Sequence, residues 1–319
     1  MKAIRVHQLG GPEVLMLEEV PEIHPGPKQL VIDVKAIGVN PVEVYTRAGT
    51  YSKTAVPYTP GTDAAGVVKS VGAGPRKFKV GDRVFVSGSL TGTYAEEALC
   101  EEHQAHPLPE KLSFSQGAAI GVPYSTAYRA LFQMAEAKAG ETVLVHGATG
   151  GVGTATLQLA RLGGLKVIAT GSTESGRKMA LGLGATAVLD HSNPSHLDEI
   201  QSLTSGHGID IVIEMLANVN LDRDLKALAM RGRVVVVGSR GRIEIEPRDA
   251  MRRDAAILGM LVANAPKEDL GVIFSDLSRM LSRGDLVPVV GEEIPLSRAP
   301  VAHERVMMGG ARGKIVLIP

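Results

Sequence analysis

Thr142-Val143-Leu144-Val145-His146-Gly147-Ala148-Thr149-Gly150-Gly151-Val152-Gly153 is the stretch that decides the fold. Four β-prone residues run into a glycine turn. Beyond it Thr154–Leu162 is helix-patterned, with apolar or small residues at Val152, Ala155, Leu159 and Ala160. Glycines let backbone amides approach a pyrophosphate, and a helix N-terminus offers unpaired N–H groups at the positive end of its dipole. In the pattern Gly-x-Gly-x-x-Gly the first place is Ala148, the second Gly150 and the third Gly153, with Gly151 and Val152 between. A glycine cluster alone fits an ordinary turn equally well. Here, short strands begin at about Thr142, Lys166, Ala187, Asp210, Arg233 and Ala256, with helix-patterned segments filling most of the gaps. Regular strand and helix alternation requires parallel crossovers, so 123–264 is expected to form a doubly wound parallel sheet that binds a dinucleotide.

The second strand, Lys166–Thr170, bears on which dinucleotide. An Asp or Glu at its end would take the ribose hydroxyls of the unphosphorylated cofactor. This chain has Gly171 and Ser172 there, followed by Arg177 and Lys178. Small residues make room for a 2′-phosphate and the two cations can pair with it, so NADPH is the expected cofactor. The alternative is that Arg177 and Lys178 form a solvated helix face.

Outside this region the texture differs. Residues 1–122 show short apolar blocks such as Leu30–Val34 and Ala64–Val71, cut by Gly10-Gly11-Pro12, Pro25-Gly26-Pro27 and Pro60-Gly61, the pattern of a β-rich domain. Beyond about 265 come a helix near Lys267–Leu281, strand-like Val287–Val290, a helix near Arg298–Met308 and a strand at Lys314–Ile318. This tail is expected to return to the β domain, giving one domain from 1–122 and 265–319 and a second from 123–264. A length of 319 residues suits two cores. Lys plus Arg is 34 and Asp plus Glu is 34, so bulk charge offers nothing to a polyanion and no nucleic-acid partner is expected. No window approaches the apolar length of a membrane span, and Met1–Val6 turns polar at His7 without a cleavage site, which makes a cytoplasmic location the expectation. The single cysteine, Cys100, excludes an internal disulfide and any multi-cysteine metal site.

Several blocks in one order resemble the zinc-independent quinone oxidoreductases, the zeta-crystallin group of the medium-chain dehydrogenase/reductase superfamily. They include Gly38-Val39-Asn40-Pro41-Val42-Glu43, Pro57-Tyr58-Thr59-Pro60-Gly61, Gly81-Asp82-Arg83-Val84, the glycine turn, Ile213–Asn220 and Val237–Gly241. The resemblance implies a GroES-like β domain, a Rossmann domain inserted into it, an active site between them, and a homodimer or homotetramer formed by edge pairing of the strand Ala256–Met260. It also implies NADPH-dependent reduction of a small-molecule quinone. Alternatives within the same resemblance are reduction of a 2-alkenal or other enone, and a crystallin-like protein that binds NADPH or RNA with little turnover.

Zinc-dependent relatives carry a cysteine where this chain has Asn40 and a histidine where it has Thr62, and neither replacement suits zinc. No metal is expected. A quinone is already an electrophile and needs only hydrogen-bond polarisation to accept hydride. Asn40 and Tyr45 are candidates to hydrogen-bond the substrate oxygen, Thr62 to line the site beside them, and Tyr51 to line it by its ring, with Tyr45 and Tyr51 placed in a loop. As structural groups, Asn40 would cap that loop and the tyrosines would pack at its edge. Thr126 resembles a family threonine beside the nicotinamide, or is a helix N-cap with Ser125. Gly238 and Ser239, following an apolar strand, are expected at the nicotinamide ribose, with Asn218 nearby. His146 is read as structural, Cys100 as a small buried or edge residue, and Arg231, Arg233, Arg240 and Arg242 as a solvated rim.

Overall fold

The structure, a computed structural model, describes residues 1–51, 54–74 and 77–319. It divides into two compact units, 1–122 with 276–319 and 123–275.

The first unit is built on the ten-residue strand Gln29–Gly38. Its alternating Leu30, Ile32 and Val34 are buried against Val68, Val84, Val86, Ala98 and Leu317. The seven-stranded sheet runs in the order Val290–Pro295, Lys314–Ile318, Gln29–Gly38, Asp63–Val71, Arg83–Ser87 and Ala105–Pro107, while Glu97–Glu101 also pairs with Gln29–Gly38. Pairing is antiparallel except between Val290–Pro295 and Lys314–Ile318. The register sets Val316 opposite Gly38, and it is this pairing that brings the last strand to the start of the Asn40 segment. Gly38 must be glycine, since a Cβ there would lie 2.2 Å from the Ala118 carbonyl oxygen and 2.8 Å from Lys314 Cε.

After Gly38 the chain enters the helix Pro41–Arg47, so Tyr45 is helical and the expected loop is corrected. The local reason is legible: Asn40 is the N-cap, proline occupies the first turn, and the Glu43 carboxylate takes the Asn40 N–H at 2.8 Å. The expected strand Val287–Val290 is also displaced. Pro288 has no N–H to give a ladder, and the strand runs over Val290–Pro295 instead.

The second unit holds a six-stranded parallel sheet. Numbered by chain order within the unit, its strands Thr142–Val145, Lys166–Thr170, Ala187–Leu189, Ile209–Glu214, Leu228–Val236 and Ala256–Gly259 are arranged 3-2-1-4-5-6. The fifth strand begins at Leu228, earlier than the apolar run at Arg233 suggested, because Leu228 pairs with Ile209 across a register shift. Leu144, Ile168, Val212 and Val234 are buried beneath Leu221 and Leu225 of the helix Ala217–Ala227. Strands of a parallel sheet are covered on both faces, which is why they read as continuous apolar runs. Thr126 lies within the helix Gly121–Tyr128 and is not its N-cap. Arg233 is also no solvated rim: it clamps Glu141 with bonds of 2.8 and 2.9 Å and donates to the Ala135 carbonyl. Among the described residues no helix is long and apolar enough to cross a membrane.

Candidate active site

In the first unit, Asn40 is 3% exposed and its side-chain amide is fully used. Nδ2 donates to Glu43 Oε1 at 3.2 Å and to Asp63 Oδ2 at 3.0 Å. Oδ1 accepts from Lys314 Nζ, which also reaches Asp63 Oδ2 at 3.3 Å. Asp63 is fully buried, and its other oxygen accepts the Val122 N–H at 2.8 Å. A cation therefore already stands against Asn40, supplied by the last strand.

Glu43 was not singled out in the sequence, though its place three residues after an N-cap was the available signal. Its carboxylate collects four donors: Asn40 N–H, Asn40 Nδ2, Thr62 N–H at 3.1 Å and the Tyr94 hydroxyl at 2.9 Å. Burial pushes its pKa up to about 7, opposed by the charge of Lys314 and by the Asn40 bonds. The structure thus brings Asn40 and Thr62 together through one carboxylate. Tyr45 lies farther along the same helix, half-buried, and Tyr51 stands 48% exposed beyond it.

In the second unit the glycine turn leads into the helix Gly151–Leu162 with Gly150 as N-cap, no side-chain cap and no acidic residue in the first turn. Its leading N–H groups are therefore uncapped by side chains and unopposed by local negative charge. Gly153 is dictated by packing, since a Cβ would sit 2.3 Å from the Gly147 carbonyl oxygen. Gly150 is different. Its φ of −81° suits any residue, and a Cβ would meet nothing nearer than 3.7 Å. No protein atom requires glycine there. Ala148 is fully buried and its N–H is bound to the Thr170 carbonyl at 3.1 Å, so the first place of the pattern anchors the turn.

Arg177 extends over the end of the second strand. One Nη donates to the carbonyls of Gly171 at 3.3 Å and Ser172 at 3.1 Å and pairs with Asp190 at 2.7 Å. Lys178 projects outward, 74% exposed, against Glu174. At the ends of the fourth and fifth strands, Asn218 Oδ1 accepts the Arg240 N–H at 2.8 Å, the Ser239 hydroxyl donates to Gly241, and the Ala217 N–H reaches the Gly238 carbonyl at 2.9 Å. Asn218, Gly238 and Ser239 are thus one assembly.

Behind it lies a buried cluster. His146 Nε2 is 2.8 Å from Asp224 Oδ1 and 3.5 Å from Glu214 Oε2, all three at most 3% exposed. Burial holds His146 below its ordinary pKa and raises both carboxyls to about 7, so the ring is neutral beside Asp224. Glu214 fixes the assembly beside it. Its carboxylate accepts Leu216 N–H and Asn220 Nδ2, and its carbonyl accepts the N–H groups of Val237 and Gly238. The three donor atoms lie within 4.8 Å of one another. The bond between His146 and Asp224 draws two of them together.

A glycine turn at the carboxyl end of the first strand of a 3-2-1-4-5-6 parallel sheet, opening an uncapped helix, defines a dinucleotide-binding enzyme. Residues 26–110 match the family described as alcohol dehydrogenase GroES-like domain, and residues 151–279 the family described as zinc-binding dehydrogenase. The quinone oxidoreductase of Homo sapiens is 50% identical over 325 aligned residues, covering 100% of this chain and 98% of the relative. Among solved structures, Escherichia coli quinone oxidoreductase complexed with NADPH superposes with a TM-score of 0.90 at 29% identity over 100% of both chains. An NAD-dependent alcohol dehydrogenase does so with a TM-score of 0.93 at 31% identity, again over 100% of both. The chain is an oxidoreductase and belongs to the quinone oxidoreductase family of the medium-chain dehydrogenase/reductase superfamily.

Proposed function

We propose that the protein is an NADPH-dependent quinone reductase that works without a metal ion. The observation that carries the quinone assignment is its identity with the human quinone oxidoreductase along the whole chain. Support for a metal-free reaction comes from the first unit: the positions that hold zinc in zinc-dependent relatives carry Asn40 and Thr62, and the ammonium of Lys314 is bound to Asn40.

In this reading the first unit serves the substrate and the second the cofactor. NADPH, when bound, supplies the hydride. The uncapped N–H groups from Gly151 to Gly153 and the room over Gly150 hold its pyrophosphate, while Ala148 anchors the turn. Gly171 and Ser172 leave space for the 2′-phosphate, with Lys178 and Arg177 as its cations. Asn218, Gly238 and Ser239 seat the nicotinamide ribose, and Thr126 orients the ring. The hydroxyls of Tyr45 and Thr62 polarise the substrate carbonyl and stabilise the charge that hydride transfer leaves on its oxygen. Tyr51 lines the site by its ring. Asn40 contributes by position, since both of its amide hydrogens are engaged. Among the described residues the edge strand Ala256–Gly259 pairs on one side only, and Ile257 is 41% exposed, which suits pairing with a second copy.

The test is a steady-state comparison of 1,2-naphthoquinone, 9,10-phenanthrenequinone, a 2-alkenal and a primary alcohol with the matching phosphorylated and unphosphorylated cofactors. Quinone reduction with NADPH should be the most efficient reaction. Higher kcat/KM on the alkenal would overturn the quinone assignment, and zinc-stimulated alcohol oxidation would overturn the metal-free reading.

A further inference from the structure

Glu43 is 5% exposed, and none of the four donors on its carboxylate is a cation. The donors come from three places: the N-cap of its own helix, the entry to the strand Asp63–Val71, and Tyr94. Beyond the Tyr94 hydroxyl stands His303 of the helix Ala299–Met307, with Nε2 3.0 Å from the phenol oxygen and the two rings edge to face at 5.6 Å. His303 Nδ1 is buried with no partner.

We infer that Glu43 is a positioning residue of the substrate site, holding Asn40 and Thr62 in register, and that the Tyr94–His303 chain behind it lets a single proton loosen that hold. The inference rests on the quinone-reductase reading. When Glu43 is ionised, Tyr94 donates to it, and the two backbone N–H groups and the Asn40 amide converge on a full negative charge, the strongest acceptor available. When a proton arrives on Oε2, that oxygen donates to Tyr94, and the Tyr94 hydroxyl turns to donate to His303. His303 is neutral, because burial and then the charge of Arg47 depress its pKa to about 3, and its Nε2 accepts in the tautomer that carries the ring proton on Nδ1. The bonds to Thr62 and Asn40 then end on a neutral carboxyl and weaken.

Asp63 and Lys314 form their own pair against Asn40. Arg47, on the same helix, acts on His303 and Tyr58, and is itself under the field of Glu13 and Glu304. Lys314 is the cation that acts on the Glu43 carboxylate, and Asp63 is the anion that opposes it. Burial outweighs Lys314, so both states of Glu43 are populated near neutral pH.

The experiment is the pH profile of kcat/KM for 9,10-phenanthrenequinone at saturating NADPH, with NADPH affinity measured separately by fluorescence. The unsubstituted protein should lose about tenfold in kcat/KM as pH falls through about 7, the size of one charge-assisted bond. Glu43→Gln should give a flat profile lying about tenfold below that of the unsubstituted protein at pH 8, with NADPH affinity unchanged within about twofold. Tyr94→Phe keeps the carboxylate and three of its donors. Removing a bond to the ionised form should move its inflection to higher pH. An inflection retained in Glu43→Gln, or unmoved in Tyr94→Phe, overturns the inference, and the second variant decides if the first does not fold. If the unsubstituted protein reduces no quinone, the functional reading itself has failed. Normal quinone reduction with the same flat profile in all three proteins rejects only the role of Glu43.

Discussion

Lys314 and Asn40 are 274 positions apart in the chain, and the ammonium of the one donates to the amide oxygen of the other inside the first unit. The same ammonium neutralises the fully buried Asp63 at 3.3 Å. Replacing Lys314 with Met strands that carboxylate, and removing one partner of a buried pair costs about 3–5 kcal/mol. Urea unfolding of Lys314→Met should show a loss of this size. The double variant with Asp63→Asn should recover part of it, and no recovery would mean that the pairing is not the source.

The two glycines of the cradle should separate stability from binding. Gly150→Ala meets no protein atom nearer than 3.7 Å, so its melting temperature should be unchanged while NADPH binds about tenfold more weakly or worse, a loss of roughly 1.4 kcal/mol or more. In Gly153→Ala the new methyl would sit 2.3 Å from the Gly147 carbonyl oxygen and 2.6 Å from Ala148 Cα, so stability itself should fall, by about 1–3 kcal/mol. Calorimetry with and without NADPH checks both. A Gly150→Ala variant that binds NADPH normally would place the phosphate elsewhere.

Cofactor preference gives a third check. Lys178 is 74% exposed and its pair with Glu174 contributes little to folding. Lys178→Ala should raise the KM for NADPH about tenfold, leave the KM for NADH within about twofold, and leave the melting temperature unchanged. Equal effects on the two cofactors would mark it as an ordinary surface lysine and leave the 2′-phosphate to Arg177.

The cluster His146–Glu214–Asp224 makes stability depend on pH with a definite sign. The Asp224 pKa lies at about 7 in the folded protein against 3.8 without the fold, so its contribution is complete below the lower value and is lost as pH rises through the upper one. Asp224→Asn can still accept from His146 and can donate to Glu214, but does not titrate. Relative to the unsubstituted protein it should gain stability steadily between about pH 4 and 7 and no more above that, by a few kcal/mol at most. Chemical denaturation at four or five pH values measures the difference. A difference independent of pH would show that the cluster does not carry the proton.

What could be read in the residues was local. The stretch Thr142–Gly153 announces its strand, turn and helix because each depends on neighbours a few positions away, and the repeat of that unit dictates a parallel sheet. Asn40-Pro41-Val42-Glu43 carried an equally local message, an N-cap followed by a first-turn proline and an N3 glutamate, and reading it would have placed Tyr45 on a helix. The fifth strand was misplaced for the opposite reason. Leu228 belongs to it through pairing with Ile209, and nothing in Leu228–Gly232 alone shows that.

The sequence by itself determined the α/β organisation in two units, the glycine turn between strand and helix, and the family, all of which follow from short-range periodicity, turn chemistry and ordered motifs. Tertiary structure alone decided what each polar group does. It showed that Asn40 has no free hydrogen for a substrate, that Glu43 gathers Asn40, Thr62 and Tyr94, and that Arg177 is tied to Asp190. The physical reason is that buried donors and acceptors must find partners. Which partners they find depends on strand register, such as Val316 opposite Gly38, and register joins segments that lie hundreds of residues apart.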